Sequence, residues 1–347
     1  MIELVKGNLL EAKAEALVNT VNTVGVMGKG IALQFRETFP ENYKFYQKAC
    51  KQGRVQIGKM LIFDHGQFVT PRFIINFPTK SHWRENSRLE DIEVGLADLQ
   101  KVIRGYGIKS IAVPPLGCGS GGLDWDVVRP LIIDALGGFE DVQVFLYEPV
   151  GAPQAEKIRI GTERPNMTEG RAALIFLMAH YAVFGYRFSL LEIQKLMYFL
   201  QAAGQPLRLN YVKKQYGPYA ENLNHVLQRV EGHFIRGYGD RSRKTNVHLL
   251  PGAEEEANQF LKEAPETQAR LQKVLELIDG FETPYGMELL STVHWLAGEN
   301  PSVRSDPLEA VNGFQAWNQR KRDYFKPEHI YAAWEQLHSL GWLSIIS

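Results

Sequence analysis

A change of pattern near residue 150 constrains the fold more than any other feature of the chain. Before it, strand-like apolar runs (1–5, 15–21, 59–63, 73–77, 108–113 and 142–147) alternate with helical segments (28–38, 41–52, 88–105 and 125–136). Runs such as Phe73-Ile-Ile-Asn-Phe77 are almost continuously apolar, as strands covered on both faces must be. The segment from 88 to 105 aligns Leu89, Ile92, Leu96, Leu99 and Ile103 on one side, and Ser87-Arg-Leu-Glu90 reads as a capping box before it. Residues 1–152 are therefore predicted to form a three-layer α/β/α sandwich on a mostly parallel mixed sheet. Residues 153–167, broken by Pro153, Gly161 and Pro165, read as a linker. From 168 to 347 strand signals nearly vanish. Helices are expected near 168–184, 189–203, 219–231, 252–263, 267–279, 285–297, 306–319 and 327–340, with a hairpin around 234–249 and a second capping box at Ser189–Glu192. The prediction is α/β plus all-α, and 347 residues are long enough for two cores.

Net charge is zero, and the first 150 residues are balanced on their own. Nucleic-acid binding would thus have to rest on a local basic surface. Cys50 and Cys118 exclude a disulfide framework and fit a reducing cytoplasm. No His-Glu-x-x-His or Cys-x-x-Cys pattern occurs, so no metal site is predicted. The run Ala172–Gly185 is shorter than the ~20 residues that span a bilayer and contains His180, so it reads as a buried helix. The chain is expected to be soluble and cytoplasmic, without a membrane partner.

Two glycine-rich loops each follow a strand and precede a helix. The first carries Asn19, Asn22, Gly28, Lys29, Gly30 and Ile31; the second carries Gly117, Cys118, Gly119, Ser120, Gly121 and Gly122. In a parallel sheet both open on the edge where ligands bind. Backbone that must approach a diphosphate needs residues without Cβ, and the helix that follows adds its positive end. Neither loop fits the Walker or the dinucleotide pattern. A third strand delivers Lys80 to the same edge, either as a phosphate clamp or as a nucleophile.

The remaining candidates are weaker. Asn22 is expected to face the ligand while Asn19 holds the loop. Asn8 could accept from an adenine amino group or simply make a turn, with equal weight. Tyr147 could stack on a base. Asp124 and Asp126 are either acid–base groups or helix N-terminal residues, the second being preferred. Cys118 reads as a small buried residue rather than a nucleophile. Arg72, His82, Arg84 and Arg88 surround Trp83 in a basic, aromatic stretch suited to single-stranded nucleic acid, and His82, Trp83 and Arg84 are the candidate DNA contacts.

Met27-Gly-Lys-Gly-Ile-Ala32, Thr79-Lys80 and Leu116-Gly-Cys-Gly119 make the first half resemble the macrodomains, and among them the lysine-dependent ADP-ribosyl glycohydrolases. The whole chain resembles the DarG antitoxins of DarT–DarG pairs. Gln194–Leu200 and Gln215–Ala220 are also similar to helical antitoxin domains of the SocA/Panacea type. The resemblance implies a DarT-type ADP-ribosyltransferase toxin as partner, ADP-ribosylated thymidine in single-stranded DNA as substrate, ADP-ribose as product and ligand, and no required cofactor. It implies that Lys80 attacks the distal ribose, that Asn22 faces that ribose, and that the two glycine loops cradle the diphosphate. Asn8 falls where many macrodomains carry an adenine-binding aspartate. Ser120-Gly-Gly122 stands where a related eukaryotic enzyme has an assisting aspartate, which leaves the general acid–base open. The rival reading is a non-catalytic ADP-ribose reader whose protection comes only from toxin capture. Aromatic and basic residues of the helical half (Tyr211, Lys213, Lys214, Tyr216, Tyr219, Arg236, Arg241, Arg243 and Lys244) could serve protein or nucleic acid.

Overall fold

The computed structural model describes residues 1–151, 153–154, 157–181, 186–239 and 245–344. They form two compact units, residues 1–163 with Gly239 and residues 164–238 with 245–344. In the first unit the strands are β1 (Ile2–Val5), β2 (Ala16–Asn22), β3 (Leu61–Asp64), β4 (Phe73–Lys80), β5 (Ser110–Val113) and β6 (Gln143–Tyr147), in the order β1-β6-β5-β2-β4-β3. Only β3 runs antiparallel to its neighbour. The helices are α1 (Gly30–Thr38), α2 (Pro40–Lys51), α3 (Leu89–Tyr106) and α4 (Trp125–Leu136).

Alternation along the strands sorts the core into two layers. Ala16, Val18, Phe73, Ile75 and Phe77 pack with Ile92, Leu96 and Leu99 of α3 and Val128 and Ile132 of α4. Leu17 and Ile74 point the other way, to Phe35 of α1, while Val21 meets Tyr46 of α2. Both faces are covered, which is why these strands are apolar at nearly every position.

Three expectations need correction. β4 runs on to Lys80 instead of stopping at Phe77; beyond Asn76 its β3 side is unpaired, so Pro78 forfeits no ladder bond there. Ser87 does not cap α3. Arg88 is the cap residue, without a side-chain bond, and the Ser87 N–H, which a capping box would pair with Glu90, donates to Gly121 O at 2.9 Å. The expected linker is partly packed structure: Ile158 is buried, Thr38 donates to Arg159 O and the Gly161 N–H donates to Glu37 O.

The second unit contains α5 (Glu169–Tyr181), α6 (Leu190–Ala202), a hairpin of β7 (Tyr211–Lys214) and β8 (Gly217–Ala220), then α7 (Leu223–Val230). A short antiparallel pair follows, β9 (Ile235–Arg236) and β10 (His248–Leu249), which bounds the expected hairpin. The remaining helices are α8 (Ala253–Leu261), α9 (Pro265–Ile278), α10 (Pro284–Glu299), α11 (Pro307–Ala316), α12 (Gln319–Tyr324) and α13 (Pro327–Ser339). The Ser189–Glu192 capping box is present. β7, β8 and α12 are additions to the expectation, and α7 starts later than predicted because Gly217–Ala220 is strand. The end of the helix expected over 168–184, together with Arg241, Arg243 and Lys244, lies outside the described residues. Among the described residues no helix is long and apolar enough to cross a membrane.

Candidate functional site

Lys80 ends β4 at the carboxyl edge of the parallel strands, and its amine sits between two loops. Nζ donates to Ser120 O at 2.9 Å and to Glu85 O at 3.2 Å. Burial lowers its pKa below the ordinary lysine value. The return of Glu85 to the amine is made by a tight turn, in which the Glu85 N–H donates to His82 O at 3.1 Å.

The two glycine loops meet at this edge, since a Cβ built on Gly30 would lie 4.0 Å from Ser120 Oγ. Their glycines have different reasons for being glycine. Gly30, Gly117 and Gly122 have φ of +61°, +71° and +78°, a region that penalises any side chain. Gly121 has no room, as a Cβ would stand 2.2 Å from Ser87 Oγ and 2.4 Å from Gly117 O. Gly119 has neither constraint: its φ is not positive and a Cβ would meet nothing within 4 Å. Gly28 is similar, with ordinary contact to Val26 at 3.6 Å. At these two positions the fold alone does not demand glycine, and backbone is left open to a close-approaching group. Lys29 caps α1 with its side chain exposed, and Ile31 is in the first turn of the helix.

Asn22 holds its loop from both ends of the carboxamide: Nδ2 donates to Val26 O at 2.6 Å, and Oδ1 accepts from Val24 N, Val26 N and the Tyr46 hydroxyl. These bonds fix the turn, and Nδ2 has a second hydrogen beyond them. Asn19 is fully buried and donates to Asn76 Oδ1, which also accepts from Asn42. Sequence reasoning missed Tyr46, Asn42 and Asn76, since nothing in their local pattern separates them from core residues. Asn8 behaves as a turn residue. Its Oδ1 accepts from Leu10 N and its Nδ2 donates to Glu11 Oε1.

Tyr147 closes β6, buried, with its hydroxyl pKa raised by burial and by Glu11. Burial pushes the Cys118 thiol up to about 11, which disfavours the thiolate. Asp124 caps α4 by accepting from Asp126 N, the preferred reading of that pair.

The Macro domain family matches residues 18–132. A DNA ADP-ribosyl glycohydrolase of Thermus aquaticus is 49% identical over 341 residues, 98% of this chain and 94% of that one. The chain belongs to the DNA ADP-ribosyl glycohydrolase (DarG) family. A fusion protein of Thermosipho africanus, DNA ADP-ribosyl transferase with DNA ADP-ribosyl glycohydrolase, is 37% identical over 161 residues, 42% of each chain. The solved macrodomain of Thermus aquaticus DarG is 57% identical, covering 43% of this chain and 99% of that one at a TM-score of 0.42.

In this DarG-family chain the exposed turn beside Lys80 carries a stack of the expected composition. The His82 and Trp83 rings are 5.3 Å apart and the Arg84 guanidinium lies 4.6 Å from the Trp83 centroid. Trp83 keeps 45% of its surface exposed. Arg72 is not part of this group. It lies before the first residue of β4, at the opposite end from Lys80, and pairs with Asp64 at 3.5 Å. Arg88 pairs with Glu90. Among the described residues no cluster of His, Cys, Asp and Glu could hold a metal.

Proposed function

We propose that this chain removes ADP-ribose from thymidine in single-stranded DNA, with Lys80 as nucleophile. The observation that carries the reading is a partly desolvated amine held by two main-chain carbonyls beside open glycine backbone. Asn8 after β1 and Lys80 on β4 are four strand spacings apart, roughly 19 Å at the usual inter-strand distance. That span suits an extended nucleotide diphosphate sugar lying across the sheet edge, with Asn8 and Tyr147 at the adenine end. The backbone of Gly28–Ile31 and Gly117–Gly122 would take the diphosphate, with the distal ribose beside Asn22 and Lys80.

In the reaction, the neutral Lys80 amine forms a bond to the anomeric carbon as the bond from that carbon to the thymine nitrogen breaks. The bonding pair leaves with the base. The proton shed by the new C–N⁺–H centre equals the one the base takes up, so this step needs no further acid. Water then cleaves the lysine adduct, releasing ADP-ribose and restoring the amine. His82, Trp83 and Arg84 would grip the flanking strand by stacking and charge. Lys80→Ala in the full chain should abolish release of ADP-ribose from a modified oligonucleotide while ADP-ribose still binds. Undiminished release would refute the lysine assignment, and an intact substrate with the parent chain would leave only the reader.

Neutralisation of a DarT-type toxin by the helical unit belongs to the same proposal. The pairing with a transferase is supported by the relative that carries transferase and glycohydrolase in one polypeptide. A pull-down of the toxin by residues 164–347, and not by 1–163, tests it.

A further inference from the structure

We infer that Ser87 is the positioning residue of Lys80: wedged between Gly117 and Gly121, it sets the separation of the two carbonyls that hold the amine. The inference rests on the lysine reading above and names what aims the nucleophile in a chain with Ser120-Gly-Gly122 in the second loop.

A neutral lysine amine has two N–H bonds and one lone pair. Donation to Glu85 O and Ser120 O occupies both N–H bonds, so the lone pair must point away from both carbonyls. No salt bridge engages Lys80 among the described residues, so its direction is set by where those two oxygens stand. Glu85 lies two residues before Ser87, and Ser120 adjoins Gly121, which accepts the Ser87 N–H at 2.9 Å. The Ser87 side chain is buried against the same loop. Its Oγ would be 3.3 Å from a Cβ on Gly117 and 2.2 Å from one on Gly121. That hydroxyl has no hydrogen-bond partner, so no polar contact of its own accounts for its place. What the site uses is its volume and its amide: a larger residue here must drive the Glu85 segment and the Ser120 segment apart.

The test compares Ser87→Ala, Ser87→Val and Lys80→Ala in the full chain. The readings are single-turnover release of ADP-ribose from modified single-stranded DNA, affinity for free ADP-ribose, and the pH profile of release. Ser87→Ala, which keeps the amide but removes the wedging hydroxyl, should lose rate about threefold with affinity kept, and Ser87→Val should lose roughly tenfold more rate than affinity. Its acid limb should also move to higher pH, because a displaced amine regains water. A parent-like rate in Ser87→Val overturns the inference, as does a loss of rate and affinity in equal proportion with an unmoved acid limb. Should Ser87→Val fail to fold, Ser87→Thr carries the same readings with one added methyl. Release by Lys80→Ala would sink the lysine reading itself, a result distinct from failure of the Ser87 series.

Discussion

Lys80 is the register partner of Asn22 across β2 and β4, because an irregularity between Val21 and Asn22 skips Thr79. The residue that fixes the first loop and the residue that reaches the second are thus neighbours on adjacent strands. Asn22→Ala deletes one donor and one acceptor that serve Val24, Val26 and Tyr46. Leaving those groups unpaired should cost about 1–3 kcal/mol. Thermal unfolding of the variant should show that loss, with weaker ADP-ribose binding as the loop loosens. Parent-like values for both would mean that the turn is held by something else.

The glycines of the second loop separate fold from ligand. Gly121→Ala places a methyl 2.2 Å from Ser87 Oγ and 2.4 Å from Gly117 O, an overpacking that should destabilise by about 1–3 kcal/mol. Gly119→Ala meets nothing within 4 Å, so stability should stay within about 0.5 kcal/mol of the parent. It should nonetheless weaken ADP-ribose by roughly tenfold, because the methyl enters the space where the diphosphate approaches backbone. Calorimetry of ligand binding on both variants decides it: undiminished affinity in Gly119→Ala would place the diphosphate elsewhere.

Only the unprotonated amine of Lys80 has a lone pair to attack with. Burial favours that form, so the group loses its proton below the ordinary lysine pH. Release should therefore rise with pH and level off, with the midpoint below that of a free lysine. The rate falls as pH drops through the amine's own pKa. A rate that does not fall at all as pH is lowered is incompatible with a lysine nucleophile.

β2, β4 and α3 were legible because both faces of the central strands are buried, so apolar runs and a helical stripe mark them. Lys80 was legible for the same reason: a buried run ending in Thr-Lys has one edge to reach. That Asn22 also holds its own loop was not legible, because the bond from the Tyr46 hydroxyl comes from another element. Ser87 was misread as a cap, since Ser-x-x-Glu is also satisfied by a serine whose amide a distant loop has claimed. The β7–β8 hairpin was hidden because its turn is held from far along the chain, by Trp317 Nε1 donating to Lys214 O and Asn318 Nδ2 to Gln215 O.

Beneath that hairpin the helical unit buries an imbalance of charge. Arg320 and Lys321 both donate to Glu288 at 2.7 Å, while nearby Lys195 donates to the carbonyl of Pro218 at 2.6 Å. Desolvation first, and the Lys321 charge second, bring Lys195 down to about 7 from an ordinary 10.5. Between those values the unfolded chain binds a proton that the folded unit does not, so stability rises with pH. The gain is full above the unfolded value and is lost as pH falls toward 7, at up to about 1.4 kcal/mol per pH unit. Urea unfolding of the helical unit between pH 7 and 10 should show this slope. Lys195→Met should reduce it, leaving the part due to Lys321, whose amine burial brings down to about 8, at some cost in stability at high pH because Pro218 O loses its donor. If the variant keeps the parent's slope, the titrating group is another.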